Sequence, residues 1–151
     1  MKPSHPLTHD EQDRLAGAAA AAALNAYAPY SRFRVGAAVL DSDGRLHTGC
    51  NVENASYGLC LCAERNALST ALGTGARRFR GIGVACIDAA PGLGLEGRTP
   101  CGACRQWMVE LAPDAEVVIA GGDGRQPMAV WPVSALLPDA FRLTRGLRGF
   151  R

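Results

Sequence analysis

Two short stretches carry groups that could do chemistry together: Cys62-Ala63-Glu64-Arg65 and Pro100-Cys101-Gly102-Ala103-Cys104. Cys101 and Cys104 are three apart, so on the first turn of a helix both sulfurs project to one face and can share a tetrahedral cation. Cys62 supplies a third sulfur. Glu64, two residues beyond it, does not share that direction and falls beside the metal rather than on it. Zinc held by three protein ligands keeps an open fourth position for a water molecule, whose pKa the metal lowers to about 7. The spacing therefore points to a site built to activate water.

Such a site has an electrostatic difficulty. Three thiolates on Zn²⁺ leave a formal charge of minus one, which weakens the metal as a Lewis acid relative to neutral imidazole ligands. Two sources of positive charge are at hand: the N-termini of the helices that the two stretches open, whose free N–H groups favour thiolate, and Arg65. An ordinary solvated arginine is the other reading of Arg65. The cluster also has another reading, a closed structural site of four sulfurs with Cys60 as the fourth. Against it, Cys60 and Cys62 are separated by one residue, where structural pairs are spaced by two to four, and in extended chain they point to opposite sides. Six cysteines without a secretory signal fit a reducing, cytoplasmic setting better than a disulfide-stapled secreted domain.

The elements that must position these groups follow from pattern and punctuation. The 151 residues, 48% of them hydrophobic, suffice for one core, so residues 1–151 are expected to form a single domain. A net charge of +2 and a pI near 8.3 are too mild to argue for nucleic acid or a membrane surface, and a small neutral substrate is allowed. After a loose start over residues 1–7, Thr8-His9-Asp10-Glu11 has the form of a capping box opening a helix to about Tyr27. The alanine run inside it is too short to span a bilayer and suits close packing on a sheet.

Arg34 to Asp41 and Arg45 to Val52 read as a hairpin around Ser42-Asp43-Gly44, with His47 a structural residue inside it. Asn51 and Glu53 alternate at its end and point the same way, either to grip hydroxyls or as a polar edge facing water. The first cysteine helix runs from about Cys62 to Leu72, and Gly81 to Asp88 is a buried strand. A Gly- and Pro-rich loop leads to the second cysteine helix, about Cys101 to Leu111. Strands over Ala115 to Ala120 and Met128 to Val133 and a short helix near Ser134 to Leu137 complete the pattern. The expected fold is an α/β three-layer sandwich. Its five-stranded mixed sheet has an antiparallel N-terminal hairpin, parallel later strands and helices on both faces.

The blocks Tyr27 to Val39 (YAPYSRFRVGAAV), Gly49 to Gly58 (GCNVENASYG), Cys62 to Leu68 (CAERNAL), Pro100 to Gln106 (PCGACRQ) and Leu136 to Phe141 (LLPDAF) resemble those of the cytidine deaminase family, in its order. The three-cysteine version resembles its small homotetrameric branch. That resemblance implies one zinc per subunit on Cys62, Cys101 and Cys104, with Arg65 steadying the thiolates. It implies Asn51 and Glu53 on the ribose hydroxyls, Phe33 beside the nucleoside, and further contacts from Tyr57 and the Ala63 backbone. Phe141 would reach the base in a neighbouring subunit, so that active sites are shared. Glu64 would move protons in the hydrolytic deamination of cytidine and deoxycytidine. A blasticidin-type deaminase of a related aminopyrimidine nucleoside is the nearest rival. The loop between Asp88 and Pro100 departs from the family pattern. The arginines recurring from Arg142 read as a solvated tail.

Overall fold

The computed structural model describes residues 6–121 and 126–143. In chain order the elements are α1 (His9–Ala23), β1 (Val35–Asp41), β2 (Leu46–Cys50), α2 (Ala63–Gly73), β3 (Phe79–Cys86), α3 (Gly102–Leu111), β4 (Glu116–Ala120), β5 (Pro127–Pro132) and α4 (Val133–Leu136). The strands form one sheet in the order β2-β1-β3-β4-β5. β1 pairs antiparallel with β2 and with β3, and β3 pairs parallel with β4, the connection that α3 crosses. Parallel pairing among the later strands stops there. β4 and β5 are antiparallel, because the few residues between them allow a turn but not the crossover that parallel strands require.

Helices cover both faces. α1 packs with Leu15, Ala16 and Ala19 on a layer that includes Ala38, Leu40 and Val118. Small residues set the distance: a Cβ at Gly36 would run into the Ala19 carbonyl oxygen, and one at Gly83 would lie 2.5 Å from the Leu15 carbonyl oxygen. The capping box forms as expected, Thr8 Oγ1 accepting from the Glu11 N–H while Glu11 accepts from the Thr8 N–H. The helix ends at Ala23 rather than near Tyr27. Tyr27 is drawn instead into a bridge with Val52, donating its N–H to the Asn51 carbonyl at 3.0 Å and accepting from Glu53 N–H at 2.8 Å. Leu7, expected in a loose terminus, is buried, and its N–H donates to the Glu116 carboxylate.

The opposite face holds the larger core, in which α2 and α3 bury Ala67, Leu68, Cys104 and Met108 against Val39, Ile82 and Val117. His47 has the structural role expected of it. It is buried and its Nε2 lies 2.8 Å from Asp41 Oδ2, while Thr74 Oγ1 near Nδ1 ties in the end of α2. Among the described residues no helix is long and apolar enough to cross a membrane. Of the C-terminal arginines only Arg142 is described; residues 144–151 lie outside.

Candidate metal centre and active-site cleft

Both cysteine stretches start helices, and the caps themselves are the thiols. Cys62 is the N-cap of α2, Cys101 the N-cap of α3, and Cys104 lies in the first turn of α3. The sulfurs of all three lie within 4.8 Å of one another, with Cys62 to Cys101 at 3.9 Å and Cys101 to Cys104 at 3.6 Å. Sulfurs at the corners of a zinc tetrahedron, with the usual metal–sulfur bond, are about 3.8 Å apart. The spacing therefore fits that ion without rearrangement. Cys60 does not join them: its sulfur accepts from the Asn54 N–H at 3.3 Å and faces the Asn54 carbonyl. Three sulfurs without a fourth is the open arrangement, not the closed structural one.

Arg65 is no surface arginine. Its Nη2 donates to the Cys60 carbonyl at 3.2 Å and reaches Cys62 Sγ at 3.6 Å, while its Nε is buried without an acceptor. An orphaned cationic donor beside thiols is what thiolates would satisfy. The hydrogen bond from Cys104, with help from Arg65, brings the Cys62 thiol down to about 5 against the opposing effect of burial. Cys104, which supplies that hydrogen bond from a fully buried position, is pushed up. The two helix N-termini add to the preference for negative sulfur.

Beside the sulfurs lies a cavity of about 200 Å³. Phe33, Asn51, Cys62, Ala63, Glu64 and Cys101 line it, so six of the residues singled out from sequence meet there. Glu64 is 5% exposed, and burial holds its carboxyl above the usual range, reinforced by the negative Cys62. Asn51 fixes the aromatic wall: its Nδ2 donates to the Phe33 carbonyl at 2.9 Å and its Oδ1 accepts from Val35 N–H at 2.8 Å. Glu53 stands outside the cavity lining. Its carboxylate accepts from the N–H groups of Tyr30 at 2.9 Å and Ser31 at 3.2 Å, and the Ser31 hydroxyl together with those amides holds its pKa down. Tyr57 is also outside, exposed and edge-on to Tyr30 with ring centroids 5.9 Å apart. Phe141 is 72% exposed and does not enter the cavity of its own chain.

Two features of the structure escaped sequence reasoning. Arg34 donates through Nε and Nη2 to both oxygens of Asp88, at 2.8 and 2.7 Å, and brings that carboxyl down to about 2. This fork joins the start of β1 to the loop after β3. The second is Arg98, only 4% exposed and part of the cavity wall. No local pattern marks either one, since each partner lies across a chain reversal.

The model of the cytidine and deoxycytidylate deaminase zinc-binding region matches residues 9–120. A cytidine deaminase of Mycobacterium tuberculosis is 45% identical over 129 residues, covering 85% of this chain and 88% of the relative. One from Halalkalibacterium halodurans is 47% identical over 116 residues, covering 77% and 83%. Among solved structures, the cytidine deaminase of Burkholderia pseudomallei superposes with a TM-score of 0.74 at 48% identity, covering 89% of this chain and all of that one. The Mycobacterium tuberculosis enzyme superposes with a TM-score of 0.71 at 41% identity, covering 87% and 97%. The matched region contains the thiols, Glu64 and the strands behind them, and on that ground the chain belongs to the zinc-dependent cytidine deaminase family.

Proposed function

We propose that this chain deaminates cytidine and deoxycytidine hydrolytically, releasing ammonia and the corresponding uracil nucleoside. The observation that carries the reading is Glu64, buried in the cavity wall beside three sulfurs spaced for zinc. Cys62, Cys101 and Cys104 hold the ion, and Arg65 offsets their charge. Zinc held there supplies Lewis-acid activation of water. Glu64 takes a proton from the attacking water and passes it to the pyrimidine ring nitrogen. The oxygen adds to the ring carbon that bears the amino group. Glu64 then carries the second proton to the departing nitrogen, so the carbon–nitrogen bond breaks as the carbonyl forms and ammonia leaves. The raised proton affinity that burial gives Glu64 suits a group that must both accept and return protons.

The nucleoside is held by Phe33 against its ring and by the Ala63 backbone, with Asn51 and Glu53 on the ribose hydroxyls and Tyr57 at the rim. Residues 1–151 act as one domain. Subunits assemble as a homotetramer in which Phe141 of each completes a neighbour's site. The outward-facing aromatic side chains of Tyr27, Tyr30, Tyr57 and Phe141 favour self-association. Six free thiols, three of them needed reduced, favour a cytoplasmic setting.

The test is the ultraviolet change on incubating zinc-loaded protein with cytidine and with deoxycytidine, beside Glu64→Ala. We expect conversion by the wild type and a loss of at least a hundred- to ten-thousand-fold in the variant, the usual size of general acid–base catalysis, with zinc and fold retained. Activity persisting in Glu64→Ala would refute the role. Inactivity of folded, zinc-loaded wild type on both nucleosides would move the substrate to another aminopyrimidine.

A further inference from the structure

The aromatic wall of the cavity is carried by a short segment whose backbone is pinned at every step. Each N–H from Tyr30 to Arg34 has a definite acceptor. Those of Tyr30 and Ser31 donate to Glu53 Oε2, that of Arg32 to the Ala28 carbonyl at 3.0 Å and that of Phe33 to Ser31 Oγ at 3.0 Å. The last, from Arg34, goes to Asp88 Oδ2 at 2.8 Å. Within the segment Arg32 holds φ at 56°, a left-handed conformation uncommon outside glycine. Such a residue persists only where the surrounding contacts over-determine it.

Among these anchors Asp88 stands apart. Ala28 and Ser31 belong to the same stretch of chain and Glu53 follows β2 closely, whereas Asp88 lies 54 residues beyond Arg34, in the loop after β3. The peptide unit that joins Phe33 to Arg34 is gripped from both sides. Its carbonyl accepts from Asn51 Nδ2 at 2.9 Å while its N–H donates to Asp88. A peptide unit is rigid, so holding it at both ends fixes ψ of Phe33 and the point from which the ring departs. Arg34 adds Nε and Nη2 to the same carboxylate, at 2.8 and 2.7 Å, so that one residue makes three bonds to one acid. The two side chains are 41% and 25% exposed, and ion pairs this open to water add little to the stability of a fold. What the bidentate fork does supply is orientation. Arg34 stands between two residues that line the cavity, Phe33 and Val35, and the loop that follows Asp88 brings Gly97 and Arg98 to the same lining.

We propose that Asp88 is a positioning residue for the nucleoside: through the Arg34 N–H and the Arg34 fork it holds the Phe33 ring in the orientation that packs against the substrate. The assignment rests on the reading of Phe33 as a nucleoside contact given above. Asp88 touches neither the substrate nor the metal ligands, and its effect passes through Phe33.

The experiment is steady-state kinetics on cytidine with the zinc-loaded full chain, zinc content being measured for every protein. The set is wild type, Asp88→Ala, Asp88→Asn, Phe33→Ala and the double variant Phe33→Ala with Asp88→Ala. In Asp88→Ala we expect KM to rise about five- to fiftyfold, within the range for losing a base–aromatic stack. Its kcat should stay within about threefold of wild type, the pattern of lost ground-state binding. Asp88→Asn keeps an oxygen that can accept from the Arg34 N–H and should fall between wild type and Asp88→Ala. Once Phe33 is gone, Asp88→Ala should add nothing further, because two residues that act as one unit are not additive. An unchanged KM in Asp88→Ala overturns the proposal. So do KM effects that multiply in the double variant, and so does a loss confined to kcat or to zinc content, either of which marks a support of the fold. If Asp88→Ala fails to fold, Asp88→Asn alone and combined with Phe33→Ala decides by the same comparison. If Phe33→Ala leaves KM unchanged, or wild type does not convert cytidine, the underlying reading falls and the proposal with it. If Phe33→Ala raises KM and Asp88→Ala does not, the proposal falls alone.

Discussion

Burial by itself would raise the pKa of Asp41, which is 3% exposed, yet hydrogen bonds from His47 and from the N–H groups of Arg45 and Asp43 outweigh it and the net change is downward. A carboxyl with a lower pKa folded than unfolded contributes stability above its ordinary value of 3.8 and loses it as pH falls through the lower folded value. Thermal unfolding scans from pH 6 down to pH 2 should therefore show an acid limb that is shallower in Asp41→Asn. At neutral pH the variant should be less stable by about 1–3 kcal/mol, the cost of weakening a buried charged hydrogen-bond network. Parallel acid limbs in the two proteins would show that Asp41 contributes nothing to the pH dependence. Residues of this kind separate what is legible in the sequence from what is not. Cys62 with Glu64, and Cys101 with Cys104, stand out because each pair is spaced within the first turn of its own helix, which the sequence carries directly. Asp41 with His47, and Arg98 with the cavity, depend on chain reversals that bring distant segments together. Their residue types alone read as turn, strand and loop.

At the scale of elements, the metal centre is held by the first turns of α2 and α3, so whatever moves those helices moves the thiols. One close restraint on α2 is Gly49 of β2. A Cβ there would lie 2.9 Å from the Asn66 carbonyl carbon and 3.0 Å from the Ala63 carbonyl oxygen, both backbone atoms that cannot rotate away. Gly49→Ala should cost about 1–3 kcal/mol as an overpacking change and should also weaken zinc binding, because the helix it displaces carries Cys62 and Glu64. Gly17→Ala, in α1 with open space where its Cβ would go, should instead add about 0.5–1 kcal/mol and leave zinc affinity alone. Paired melting and chelator-competition measurements check both; normal zinc affinity in a destabilised Gly49→Ala would detach the strand contact from the site. The elements themselves were legible from the capping box, the hairpin turn and the apolar runs. The end of α1 was not, since the bridge of Tyr27 with Val52 is a tertiary choice made against local helical pattern. Nor did alternation of strands and helices reveal that β5 turns back antiparallel, because direction there follows from loop length rather than from the strand's own residues.

At the scale of the whole molecule, the two aromatic residues assigned to the nucleoside are placed very differently. Phe33 lines the cavity of its own chain, whereas Phe141 is 72% exposed, its carbonyl accepting from Gln106 Nε2 while the ring faces outward. A ring left in water gains nothing from folding of the monomer, so Phe141→Ala should barely alter the stability of an isolated subunit. If the ring completes a neighbour's site, the variant should instead bind nucleoside poorly. Sharing of this kind has a signature that no single-chain site can produce. Glu64→Ala retains Phe141 to lend, and Phe141→Ala retains Glu64, so subunits exchanged between the two variants rebuild intact sites at about one position in four in a random equal mixture. Activity of the exchanged mixture should exceed the sum of the two parents at the same total concentration, and should appear only after conditions that allow subunits to dissociate and reassociate. A mixture that stays at the parental sum, while sedimentation shows hybrid oligomers, would mean that each chain carries a complete site and that Phe141 serves assembly alone.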